Sequence, residues 1–395
     1  MPAPSEPSRN LGSISSARIT RFSFPRNRVI GDSQVRAEHV QLGVLELETS
    51  DGFVGTGFFQ NLFHPLPAES ELVRQFEETA MPGLKGAIPA VLLNRLSRPR
   101  GGNNRALPMN FGEAINQALW DLHAQQLGLP LFRLLGATRD KVPAYASGLD
   151  FHLSDEDYVA FFGGAKAKGF GAFKIKVGHP DVKWDLNRLK LLEEAVGPGA
   201  TIMVDANEAW TPKEAIRRLH IYRDAGHDIY WIEDPCIRDD YEGLRQVGEA
   251  VPFAHLNTGE YLSLHEKRLL IEGRAVDILN VHGTVSDVMK AAWLAAEYGV
   301  EISLGNTTME IGVHAACALP ECRWLEYSFQ DNDFVLETPI RIEAGWAHAP
   351  DRPGHGLKLS DMARKEFRAP NVGDATPRSR IPRGSIPLPS QQAAE

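Results

Sequence analysis

Three acidic residues close three apolar runs: Asp205 ends TIMVD, Glu233 ends IYWIE and Glu260 ends FAHLNTGE. Their separations are nearly equal (233 − 205 = 28; 260 − 233 = 27), about the length of one strand, one helix and two loops in a repeating β/α unit. Successive strands of a parallel barrel deliver their last residues to one rim, so these carboxylates are expected to converge. Like charges sharing a partly buried site either protonate or recruit a cation. Oxygen ligands without Cys or His at ligand spacing favour Mg²⁺ over Zn²⁺. The plainer reading, three solvated rim acids, leaves the coincidence of spacing and strand-end placement unexplained.

In AFKIKVG, Lys174 and Lys176 stand two apart on a predicted strand and so share one face. The plainer alternative is an exposed edge strand with snorkelling lysines. Two ammonium groups held close depress each other's pKa, which would make one a general base near neutral pH. Asn207 follows Asp205 by the same interval and is placed to assist the ligand carboxylate or donate to substrate. A base beside a divalent cation suits removal of a proton α to a carboxylate, because the resulting enediolate needs its charge neutralised. Glu326, ending CRWLE, is expected to sit protonated near the same carboxylate and donate a hydrogen bond.

The elements that must position these residues follow from periodicity. Ala17–Phe24, Val40–Thr49 and FVGTGFF read as antiparallel strands, with Asp51-Gly52 as a turn. Helical patterning follows at Glu69–Glu78, Ile88–Leu96 and GEAINQALWDLHAQQLG. From Pro143, eight short apolar runs alternate with helical segments such as Ser154–Lys168 and Val285–Tyr298, the grammar of a βα barrel. The division expected is a disordered tail over 1–16, an α+β cap over 17–140, a barrel over 141–350, a return segment over 351–367 and a flexible, poorly packing Pro/Ser/Arg-rich extension over 368–395.

Composition narrows the partners. The 395-residue chain is 43% hydrophobic and carries a net charge of −9, which argues against nucleic acid as a main partner. Three cysteines are too few for a disulfide framework, and no run approaches the ~20 apolar residues of a membrane span or forms a signal peptide. A reducing, cytoplasmic setting is the expectation.

The set KIK, DAN, IEDP and GE, following the helix ALWDLHAQQLGLPLFRLLG, resembles the mandelate racemase branch of the enolase superfamily over roughly residues 17–365. The resemblance implies a modified TIM barrel, (β/α)₇β, with an α+β N-terminal capping domain, and a homo-oligomer. It implies Asp205, Glu233 and Glu260 as Mg²⁺ ligands, Lys176 as the base, and Lys174 lowering its pKa and contacting the substrate carboxylate. Members commonly carry an Asp ending the sixth strand and a His ending the seventh. Here DILNVHG places His282 at the first position, and EISLGN places Gly305 or Asn306 at the second. His282 is either a lone acid/base or a structural residue.

The expected reaction is dehydration of a sugar acid to a 2-keto-3-deoxy acid, with a small carboxylate as substrate. Loss of the dyad tilts toward elimination, which needs one base and one leaving-group acid. Racemisation or epimerisation would need His282 on the opposite face, and lactone cycloisomerisation shares the enediolate. A barrel that binds metal without catalysis is the contrasting reading. Arg26, Arg28 and His64, in cap loops, are candidates for the distal end of the substrate. His314 is expected to be a packed helix residue and Cys236 a buried thiol. Asp234 is either a support for the ligands or a helix cap.

Overall fold

The computed structural model describes residues 11–61, 64–96 and 109–392, so residues 1–10 of the expected tail and 393–395 of the expected extension lie outside it. The chain opens with three antiparallel strands in the order β1 (Ile14–Gly31), β2 (Arg36–Thr49) and β3 (Val54–Gln60). Helices α1 (Glu69–Thr79), α2 (Pro89–Leu96) and α3 (Met109–Leu127) cover one face of this sheet. Leu45, Leu47, Phe59, Phe76, Phe111 and Ile115 form the core between them. β3 lies directly on the α3 backbone: a Cβ at Gly57 would fall 1.9 Å from the Ala114 carbonyl oxygen, and one at Gly55 2.3 Å from that of Ala118. The two glycines of VGTGFF are therefore a close-packing device.

The barrel follows as β4 (Lys141–Ser147), β5 (Ala172–Lys176), β6 (Thr201–Asp205), β7 (Trp231–Glu233), β8 (His255–Thr258), β9 (Ile278–Val281), β10 (Glu301–Leu304) and β11 (Cys322–Tyr327). Each is parallel to the next, and β11 pairs with β4 to close the ring. The intervening helices are α4 (Asp155–Ala167), α5 (Val182–Val196), α6 (Pro212–Asp224), α7 (Tyr241–Ala250), α8 (Leu264–Glu272), α9 (Val285–Glu297) and α10 (Val313–Ala318). This is the expected modified TIM barrel under an α+β cap. Local chemistry starts the helices: Ser154 accepts from Asp157 N, Thr211 caps a helix with Pro212 in its first turn, and Ser263 with Glu266 forms a capping box. Tyr145 and Trp231, edge to face at 5.3 Å, fill the barrel interior with Ala172, Met203 and Ile278.

Cap and barrel are joined at Ser286 in the first turn of α9, whose hydroxyl accepts from Asn116 Nδ2 (2.8 Å) and Trp120 Nε1 (3.0 Å) of α3. A hairpin, β12 (Arg341–Glu343) and β13 (Trp346–His348), extends the sheet beside the start of β4. The segment after Arg368 departs from expectation. It lies against both domains with Ile381, Ile386 and Leu388 buried. Asn27 Nδ2 donates to the Pro382 carbonyl (2.9 Å), and Ser390 N to Asp157 Oδ1 (3.0 Å). Its Pro/Ser/Arg composition hid three apolar anchors spaced too widely to register as an element. Among the described residues no helix is long and apolar enough to cross a membrane.

Candidate functional site

Strand register builds the site. Lys176 pairs with Asp205 across β5 and β6, and Asp205 with Glu233 across β6 and β7, so the three stand side by side at one level of the barrel. Glu260 follows β8 through Gly259, whose φ of 111° turns the chain at the rim. Asn207, Glu208 and Asp234 also hold positive φ values of 46°, 64° and 40° at strand ends, so non-glycine strain collects around this mouth.

The charges interlock. Lys174 Nζ donates to both Glu233 oxygens at 2.8 Å and lies 3.3 Å from Glu326 Oε1 and 3.6 Å from Asp205 Oδ2. Lys176 Nζ is 2.5 Å from Asp205 Oδ2. All five side chains are nearly inaccessible to solvent. Burial works against both ammonium forms, but the surrounding carboxylates outweigh it, Glu233 foremost for Lys174 and Asp205 for Lys176, and both lysines are held above the usual range. The depressed lysine pKa expected from ammonium pairing is thus not met here, because each ammonium has a carboxylate nearer to hand.

Burial also raises the carboxyls, and their neighbours decide the outcome. Lys176 and Lys174 overcome it at Asp205, which is held below the ordinary range. The same two lysines, Lys174 first, overcome it at Glu326, which also accepts from Asn306 N at 2.7 Å. A protonated, donating Glu326 is therefore not what this structure holds. Burial prevails at Glu233, well above the usual range, and at Glu260, pushed to about 7 with Glu326 and Asp234 adding to it.

This imbalance tests the fit of a cation. Oxygens of Glu233, Asp234 and Glu260 lie within 4.8 Å of one another. Asn207 Oδ1 is buried without a partner, and its residue lines the cavity. A hard oxygen donor set with excess negative charge fits Mg²⁺. Asp205, expected as the third ligand, is turned instead to Lys176. Asp234 is already engaged, accepting from Arg238 Nη2 and Thr258 Oγ1, each at 2.6 Å.

A cavity of about 100 Å³ sits over this cage, lined by Lys174, Lys176, Asp205, Glu233, Glu260 and Glu326 together with Asn207, Tyr261 and Asn306. The tip of the β1–β2 hairpin forms its roof through Asp32 and Val35. Gln34 Nε2 donates to the Asn207 carbonyl (2.5 Å), and His152 Nε2 lies 2.8 Å from the Val35 carbonyl.

Other expected site residues lie elsewhere. His282 does not line the cavity; its ring packs edge-on against Tyr261 at 5.2 Å. Arg28 is buried outside it, donating to the carbonyls of Gly148 (2.5 Å) and Ser328 (3.0 Å) with Phe161 beneath its guanidinium. Arg26 reaches the Gln330 carbonyl at 3.4 Å. His64 is exposed at a separate surface depression beside Gln41. None of these three lines the cage. Sequence reasoning missed Asn280, whose Nδ2 donates to Glu233 Oε1 at 3.0 Å. The available signal was the position of Asn280 on β9, two residues before His282, which follows the strand. It also missed Tyr261, adjacent to Glu260, and Asp32. His314 is fully buried against the His355 carbonyl (3.0 Å), and burial pushes the Cys236 thiol up to about 12.

Comparison with known proteins agrees with this architecture. Residues 32–136 match the mandelate racemase/muconate lactonizing enzyme N-terminal domain, and residues 158–363 match the enolase C-terminal domain-like family. A solved structure of a candidate mandelate racemase from Mesorhizobium loti is 52% identical, covers 95% of this chain and 99% of its own, and superposes with a TM-score of 0.88. L-talarate/galactarate dehydratase from Salmonella typhimurium LT2, solved with Mg and L-lyxarohydroxamate, is 28% identical over 93% of this chain and 96% of its own, with a TM-score of 0.78. D-galactarolactone cycloisomerase from Agrobacterium fabrum is 31% identical over 85% of this chain and 93% of its own.

Proposed function

The chain belongs to the mandelate racemase/muconate lactonizing enzyme family of the enolase superfamily, and on that premise we propose that it abstracts the proton α to a carboxylate and dehydrates a sugar acid to a 2-keto-3-deoxy acid. The observation that carries the reading is the single register level holding Lys176, Asp205 and Glu233, with Lys174 and Glu260 closing on it. Asp205, Glu233 and Glu260 would hold Mg²⁺, which supplies charge neutralisation to the substrate carboxylate as the enediolate develops. Turning Asp205 away from Lys176 removes the counter-charge that keeps the lysine protonated. Burial and the neighbouring Lys174 ammonium then both favour the neutral amine. Lys176 takes the α-proton, and Lys174, two residues earlier on the same strand, steadies the substrate carboxylate. The β-hydroxyl leaves as water, accepting a proton from the Lys176 ammonium, since His282 does not line the cavity, and the enol tautomerises to the 2-keto acid.

The two residues after β10 favour elimination over 1,1-proton transfer. Gly305 has no side chain, a Cβ there would meet Asn280 Oδ1 at 2.9 Å, and the Asn306 amide is neither a general acid nor a general base near neutral pH. The test is ¹H NMR of the Mg²⁺-loaded protein with a panel of acid sugars in D₂O beside Lys176→Ala. A 2-keto acid that forms only with the parent enzyme supports dehydration. α-Deuteration with inversion would replace it with epimerisation, a lactone product with cycloisomerisation, and no exchange across the panel counts against the reading.

A further inference from the structure

A second cavity, of about 400 Å³, lies behind the β1–β2 hairpin, between the cap, the β4–α4 connection and the C-terminal segment. Its wall carries Arg26, Arg28, Arg36, Arg378, His39 and His152 against only two acids, Glu38 and Asp157. Both acids are occupied. Glu38 pairs with Arg36 at 2.8 Å, and Asp157 accepts Ser390 N at 3.0 Å.

The two buried arginines are short of partners. Arg26 is 6% and Arg28 7% exposed. Arg26 makes one long hydrogen bond, to the Gln330 carbonyl at 3.4 Å, and its Nε and Nη2 are buried with no acceptor; Arg28 Nε is in the same state. Among the described residues neither guanidinium has a carboxylate oxygen within 4.0 Å. Charge support comes from Asp331, which accepts Ser385 N at 3.0 Å, and for Arg28 also from Asp150. Burial and the Arg28 charge bring Arg26 down to about 10 despite it. Buried cations are stable when paired, and each unsatisfied donor costs about 1–3 kcal/mol. The Arg26 and Arg28 guanidiniums lie beneath the wall, where they contribute positive potential, and the exposed Arg36 and Arg378 supply hydrogen-bond donors at its surface, the charge pattern of an oxyanion receptor.

We infer that this cavity binds a small metabolite through a phosphate or carboxylate group, at a site separate from the carboxylate cage and independent of the reaction proposed there. His152 lines this cavity and also holds the hairpin over the cage through the Val35 carbonyl, so an occupant would touch the roof of the active site from behind.

The test measures thermal unfolding and calorimetric titration of the full chain with inorganic phosphate, and separately with succinate, at ionic strength fixed by NaCl. A saturable rise in Tm is expected with at least one of the two anions, and which one responds identifies the group. Arg26→Met should weaken binding at least tenfold, whereas Lys176→Ala and the surface control Arg74→Met should leave it unchanged. Should Arg26→Met not fold, the exposed pair Arg36→Ser/Arg378→Ser should weaken it at least threefold. No saturable response to either anion, equal affinity in the folded arginine variants, or loss of the response in Lys176→Ala would overturn the inference. That last result would place the anion at the cage.

Discussion

The Lys176 ammonium and the Asp205 carboxylate lie 2.5 Å apart, both almost wholly buried, so the proposed base and a proposed cation ligand neutralise each other in this structure. Proton abstraction and cation binding are thereby coupled: whatever draws Asp205 away also releases the lysine from its counter-charge.

Lys176→Ala should lower turnover by about 10²–10⁴-fold, the range for losing a positioned general base, and leave Mg²⁺ binding intact or tighter because Asp205 is freed. Steady-state rates and calorimetric Mg²⁺ titration of the same preparation check both halves. Loss of metal binding together with activity would show that Lys176 holds the fold of the cage instead.

Mg²⁺ should stabilise the protein saturably, by about 2.7 kcal/mol at 100 times its dissociation constant. Glu260→Gln should abolish most of that gain, and thermal melts with Mg²⁺ and with EDTA provide the reading. A Glu260→Gln protein that gains as much as the parent would remove Glu260 from the ligand set.

Arg238→Met should cost about 3–5 kcal/mol, because it strands the fully buried Asp234, which Arg238 Nη2 meets at 2.6 Å. Chemical denaturation would register the loss. A cost below about 1 kcal/mol would mean that Thr258 Oγ1, also 2.6 Å from Asp234, satisfies the carboxylate alone.

Burial, with the neighbouring His355 adding to it, depresses His314 to about 3. An unfolded histidine takes up its proton near pH 6.5, so between pH 6.5 and 3 the unfolded chain binds more protons and stability falls with pH. Relative to His314→Gln, the parent should lose about 2–3 kcal/mol between pH 6.5 and 4.5. Paired melts across that range decide it, and a constant difference would show that the imidazole is protonated inside the fold.

Gly57→Ala should destabilise the cap by about 1–3 kcal/mol, since the added carbon meets the α3 backbone, which cannot turn aside as a side chain can. Gly52→Ala supplies the contrast. Its Cβ meets nothing within 4 Å, and the cost there comes only from its φ of 87°.

Much of the scaffold was legible because strand ends and helix starts are written locally. Asp205, Glu233 and Lys176 each close an apolar run, and register then sets them side by side. What escaped depends on contacts distant in sequence. The protonation of the lysines and of Glu326 is decided by which charge lies nearest, across 29 residues for Lys176–Asp205 and 59 for Lys174–Glu233. Arg28 stands in a promising stretch, but its guanidinium is taken by carbonyls 120 and 300 residues away. His282 follows the last residue of the sixth barrel strand, yet its ring is packed against Tyr261, which itself lines the cavity, and no periodicity encodes that.

The roof over the cage has a kinetic consequence. The cavity of about 100 Å³ is narrow, and the hairpin tip over it is held by Gln34 to Asn207 and by His152 to Val35. On the proposed function, a sugar acid is expected to enter or leave while those two bonds are broken. Hairpin lifting is then expected to pace the cycle, and a slow exit of product would appear as a burst in the first turnover.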